Sequence, residues 1–185
     1  LQRLLQIVFA ILTLSMPLLS TAVHADSDEL NALFENLKAA PDAPSAEKTA
    51  ASIKKLWMRS GSATADLLMD RADTAINNRD FPLAIELLDR LVVLYPDWAE
   101  AWNQRATVFF LMDDHQRAMW DIAETLRREP RHYGAIAGMG LIFMQRGDKK
   151  HAYDAFERVL DIYPRLDTAK KAVEHLRIDV EGTKL

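Results

Sequence analysis

The sequence predicts an all-α fold, a stack of helix–turn–helix units, and three observations predict it. Pro96, Pro130 and Pro164 recur at a fixed step of 34 residues. Ala84, Ala118 and Ala152 keep that step, and so do Asp80, Asp114 and Asp148. Between these markers the apolar residues recur with helical spacing, as Trp102, Ala106 and Phe109 do at i, i+4 and i+7. A period of this length marks a stack of small helical repeats, each too small to bury its apolar face alone.

The elements follow in chain order. Arg3 precedes an apolar run from Leu4 to Leu19, interrupted by Gln6, Thr13, Ser15 and Pro17. Val23-His24-Ala25 and the acidic Asp26-Ser27-Asp28-Glu29 come next. A basic start, an apolar stretch and small residues before an acidic segment read as a secretory signal peptide over residues 1–25, cut after Ala25. The competing reading is an uncleaved anchor over residues 4–23, a stretch just long enough to span a bilayer.

Residues 26–61 read as an N-terminal helical pair. Leu30, Leu33, Phe34 and Leu37 give a short amphipathic helix that Pro41 and Pro44 end. Ser45 is the expected cap of a second helix, with Ala50, Ile53 and Trp57 on one face and Gly61 at its end. Ala50 stands one repeat step before Ala84, so the pair reads as a degenerate leading unit of the stack.

Residues 62–166 divide into three units, about 65–98, 99–132 and 133–166. The middle unit is the clearest. Its first helix carries Trp102, Ala106 and Phe109 inward, and its second carries Ala118, Ile122, Thr125 and Leu126. Asp114 is placed to accept backbone N–H bonds at the start of the second helix, and Pro130 stops that helix. Residues 167–185 hold a last helix with Ala169, Val173 and Leu176 on one face, the expected solvated cap, and a tail.

These units resemble tetratricopeptide repeats. The middle one shows Trp102, Ala106, Phe109, Ala118, Ile122 and Pro130 at the family's positions. The third shows Ile136, Gly140, Phe143, Ala152, Phe156 and Pro164, and the first Leu68, Ala72, Ala75, Ala84, Leu88 and Pro96, with alanine where an aromatic is usual. The resemblance implies a TPR-like α-solenoid whose first helices line a concave groove that binds a protein or peptide. Carried onto this chain, the groove residues are Asp66, Met69, Asp73 and Asn77 in the first unit. They are Glu100, Asn103, Thr107, Phe110 and Leu111 in the second, and Leu141 and Met144 in the third. The run Val108–Met112 agrees, because one core-facing stripe cannot bury five consecutive apolar residues. The subtype that grips C-terminal carboxylates uses lysine, asparagine and arginine at set positions. Here those positions hold Met69, Asp73, Gln104, Gly134 and Gly138, so that partner class is not expected.

Composition excludes several other classes. The net charge is −4, without the basic footprint that nucleic acid requires. There is no cysteine, hence no disulfide and no thiolate metal site or nucleophile. Asp66, Asp70 and Asp73 share a helical face and read as solvated acids. The stretch from Gly134 to Gly140 lacks the strand that a phosphate loop needs, so its glycines read as sites of close helix packing. No cofactor, metal or small-molecule substrate is expected. The expected function is that of an exported, periplasmic scaffold or adaptor in an envelope assembly. The alternatives are a membrane-anchored subunit tethering a complex and, of a different class, a metal-dependent hydrolase.

Overall fold

The computed structural model describes residues 18–182. The leader-like run up to Pro17 lies outside the described residues. Nine helices form within them: α1 (Leu18–Lys38), α2 (Ala43–Trp57), α3 (Ala63–Asn77), α4 (Phe81–Leu94), α5 (Ala99–Leu111), α6 (His115–Arg128), α7 (Tyr133–Gln145), α8 (Lys149–Ile162) and α9 (Asp167–Glu181). Helices α3–α8 are the three helix–turn–helix units, and α9 caps the stack. No helix among the described residues is long and apolar enough to cross a membrane.

The repeating residues have repeating jobs. Asp80, Asp114 and Asp148 each cap the second helix of a unit, accepting from the backbone N–H of Leu83, Arg117 and His151 at 3.3, 3.0 and 3.3 Å. The residue before each cap takes a positive φ, 59° at Arg79, 58° at Asp113 and 74° at Gly147. Only the third turn has the residue that adopts this conformation without strain. At the far end, Tyr95, Glu129 and Tyr163 each close the helix by donating N–H to the carbonyl four residues back, and a proline follows.

Small residues set the spacing of the stack. Ala84, Ala118 and Ala152 are fully buried. A methyl on Gly140 would stand 3.0 Å from the Phe156 ring, so the glycine lets α7 lie against α8. Buried polarity ties the middle unit together. Arg105 on α5 donates through Nε and Nη2 to both oxygens of Asp121 on α6 at 2.8 Å and through Nη1 to Asp89 on α4 at 2.7 Å.

Two expectations change. The cap of α2 is Asp42, which accepts from Ser45 N at 2.8 Å; Ser45 is the third helical residue, and Pro44 occupies the first turn. Arginines at and just after the end of α6 lie on aromatic rings. Arg128 lies over the Trp102 ring and donates to Pro96 O, and Arg131 lies over Phe34 at 4.1 Å.

The second change is the place of the α1–α2 pair. Its apolar face does not turn onto the first unit as a leading repeat would. Phe34, Leu37, Ala46, Ile53 and Trp57 form one cluster with Tyr163, bordered by Tyr133, Ile162 and Leu166. Those partners stand where one unit passes to the next, or to the cap. The front of the stack has its own solution. Val108 and Ile142 are buried at equivalent positions of the second and third units, and the first unit has exposed Thr74 there. A polar residue replaces an apolar one where no earlier unit follows on.

Candidate peptide-binding groove

The first helices of the second and third units, α5 and α7, enclose a cavity of about 340 Å³. Asn103, Ala106, Thr107, Phe110 and Leu111 form one wall, and Gly134, Ala135, Ala137, Gly138, Leu141 and Ile142 form the other. Ile122 of α6 lies at its floor. Local sequence explains the space. Gly134 and Gly138 are one helical turn apart on α7, and neither meets backbone: a methyl on Gly138 would touch only Ile122 Cδ1, at 3.6 Å. These two glycines therefore leave room in the cavity; of the three expected to pack helices closely, only Gly140 does so.

Five residues expected in the groove line this cavity: Asn103, Thr107, Phe110, Leu111 and Leu141. Phe110 is half-buried, its ring 5.8 Å from that of His115. Leu111 and Leu141 are exposed. Their company is apolar, and no charged side chain borders the cavity.

The other expected residues do not join them. Met69 has no exposed surface and belongs to the core of the first unit. Position 69 needs a side chain that fills the space between α3 and α4, and methionine fills it. Met144 packs against the core of the third unit. Glu100 is only 3% exposed and is held by polar neighbours. It accepts from Gln104 Nε2 at 2.9 Å and lies 2.9 Å from His132 Nε2. Nδ1 of His132 accepts from Ala135 N, which places the histidine proton on Nε2, donating to Glu100. Asp66 accepts from Ser60 N and Ser60 Oγ at 2.9 and 2.6 Å. Asn77 is exposed at the end of α3.

Asp73 stands half-buried on α3. Burial first, and then the carboxylate of Glu100, push its carboxyl above the usual range, and Lys54 of α2 opposes the rise. This leaves a negative site in the first unit, beyond the apolar cavity. Among the described residues no three His, Asp or Glu side chains gather as a metal site.

The Glu100–His132 pair and the glycine-made space were not anticipated. The signal for the first was the one-repeat step between Trp98 and His132, two residues that both precede first helices. The signal for the second was the four-residue spacing of Gly134 and Gly138.

No family model matches the chain. A TPR repeat-containing protein of Rhizobium etli is 40% identical over 163 residues, covering 88% of this chain and 80% of its own length. The first TPR of Spaghetti (RPAP3), bound to the HSP90 peptide SRMEEVD, has a TM-score of 0.60 at 16% identity, covering 63% of this chain and 93% of that one. The Yersinia enterocolitica type III secretion chaperone SycD, in complex with a peptide of the translocator YopD, has a TM-score of 0.61 at 11% identity. It covers 64% of this chain and 96% of that one. At those identities the solved structures share the fold. With its 34-residue period and its close Rhizobium relative, the chain belongs to the tetratricopeptide-repeat family.

Proposed function

We propose that this protein is a non-catalytic adaptor that captures a segment of another protein through an apolar side chain inserted between its second and third repeats. The cavity between α5 and α7 carries the proposal. It has the size of a small ligand site, and it opens on a surface bearing Phe110, Leu111 and Leu141. Binding energy at such surfaces concentrates in a few buried anchors, while charges set direction and encounter rate. The anchor is a large apolar residue within a chain. A terminal carboxylate is disfavoured, because no cation borders the cavity and Asp73 adds negative charge nearby. A basic residue of the partner belongs toward Asp73. Solved relatives of the same fold hold peptides, one from HSP90 and one from YopD.

Export belongs to the same proposal. The run Leu4–Leu19, followed by Val23-His24-Ala25 and an acidic segment, supports a leader cut after Ala25 and a place in an envelope assembly. N-terminal sequencing of the protein recovered from cells should begin at Asp26. A start within residues 1–17 would favour the anchored, tethering reading.

A photocrosslinking amino acid at Thr107, in the full chain expressed in its own host, tests the groove. A discrete adduct is expected there and none at Val93, which is 75% exposed on α4 and outside the cavity. Adducts at Val93 alone would place binding on another face.

A further inference from the structure

The α1–α2 hairpin has the marks of a ligand seated on the repeats. Its face toward them is the stripe Ala46, Ala50, Ile53 and Trp57 of α2. Trp57 lies flat on His132 with ring centroids 4.0 Å apart and is 5.1 Å from the Tyr133 ring. Polar contacts fix the ends: Trp98 Nε1 donates to Trp57 O at 2.7 Å, Tyr133 Oη to Ala50 O at 3.3 Å, and Arg131 to Asn31 at 2.9 Å. The seat belongs wholly to the repeats and their junctions. Its aromatic surface would face water without an occupant, and that exposure is costly.

The fit is incomplete. Trp57 is only 9% exposed, and its Nε1 has no acceptor among the described residues. A buried donor left unmatched opposes docking. The link to the first repeat passes through Gly61 at φ 79°, which a hinge tolerates. The hairpin also reaches the groove. Met58 packs on the cluster that holds Met69, His132 under Trp57 donates to Glu100, and Lys54 bears on Asp73. Glu100, a groove residue that the structure closes off, therefore stands beside the hairpin through His132.

We propose that α1–α2 is a resident ligand of the stack, exchangeable for an amphipathic helix of a partner protein with the same pattern. That pattern is an apolar stripe ending in tryptophan, with a lysine three residues before it to face Asp73, as in Ile53-Lys54-Lys55-Leu56-Trp57. Exchange extends the groove from the central cavity to the first repeat. This inference rests on the groove reading only in using the same surface.

The test uses the full chain and a fluorescent synthetic peptide of residues 28–60. Trp57→Ala in the chain loosens the resident hairpin and frees its seat. The peptide should bind this variant at least tenfold more tightly than the unaltered chain, and the peptide bearing Trp57→Ala should not bind. A folded variant that fails to bind the peptide overturns the proposal. Hydrogen exchange on the unaltered chain decides independently of that variant's folding. Amides of α1 and α2 should exchange as a group at least tenfold faster than those of α5–α7, and a single rate for both sets would overturn it. The central cavity is read separately, by the crosslink at Thr107, so its failure and the failure of this proposal are distinguishable.

Discussion

Trp57 and His132, 75 residues apart in the chain, stack with their ring planes within 13° of parallel. Beneath the stack, His132 caps α7 through Nδ1 and donates to Glu100 through Nε2. One side chain thus joins the hairpin, a helix start and a buried carboxylate.

Removing that side chain should be costly. His132→Ala leaves Oε2 of the buried Glu100 without its donor, with Gln104 and Asn103 still on Oε1, and should destabilise the fold by about 1–3 kcal/mol. Adding Glu100→Gln should restore part of the loss, since a neutral amide is easier to bury. Urea melts of the single and double variants measure both. Equal stability of His132→Ala and the unaltered chain would contradict the arrangement.

The two strained turns offer stabilisation. Arg79 and Asp113 hold positive φ where Gly147 stands in the third unit. Arg79→Gly and Asp113→Gly should each stabilise by about 0.5–1 kcal/mol, the relief of strain exceeding the entropic cost of glycine. Thermal melts should show additive gains, because the turns lie in different repeats.

The glycines of α7 should respond in opposite ways. Gly140→Ala drives a methyl into Phe156 and should cost about 1–3 kcal/mol. Gly138→Ala meets only Ile122 at an ordinary distance and gains helix propensity of about 1 kcal/mol. Gly138→Leu fills the cavity and should block capture of the partner while the fold persists.

Asp73 gives a pH signature. Its folded carboxyl titrates above the usual aspartate range, because burial and Glu100 disfavour the charged form. The folded state therefore holds its proton to higher pH than the unfolded chain does. Stability falls as pH rises through the window just above 3.8, and the penalty is complete above the folded value. Asp73→Asn should be more stable than the unaltered chain at neutral pH, and the two should converge in acid. Melts across that range check the sign.

Much of the fold was legible because the repeats constrain one another. Pro96, Pro130 and Pro164 gave the period, and the aspartates at 80, 114 and 148 gave the second-helix starts, since a cap needs that residue type at that place. Five cavity residues followed from the family register. Residues whose surroundings are set by packing that the local pattern does not show did not. Met69 occupies a groove register but is filled over by its own unit, and Glu100 is closed by a partner one repeat later. The α1–α2 pair keeps the phase at Ala50, yet its place is set by Trp57 against His132 and Phe34 beneath Arg131, contacts that no local pattern encodes. The glycines at 134 and 138 read as packing because a sequence shows a missing side chain and not what stands opposite.

The central claim is that the partner's anchor enters between α5 and α7. Phe110→Glu places a charge at the mouth of that cavity, on a side chain that the fold leaves half-exposed. The most direct measurement is the crosslinking yield at Thr107 in the Phe110→Glu chain, set beside its thermal melt. The account predicts that the adduct disappears while the melting temperature changes little. An adduct of undiminished yield on a folded Phe110→Glu chain would contradict it.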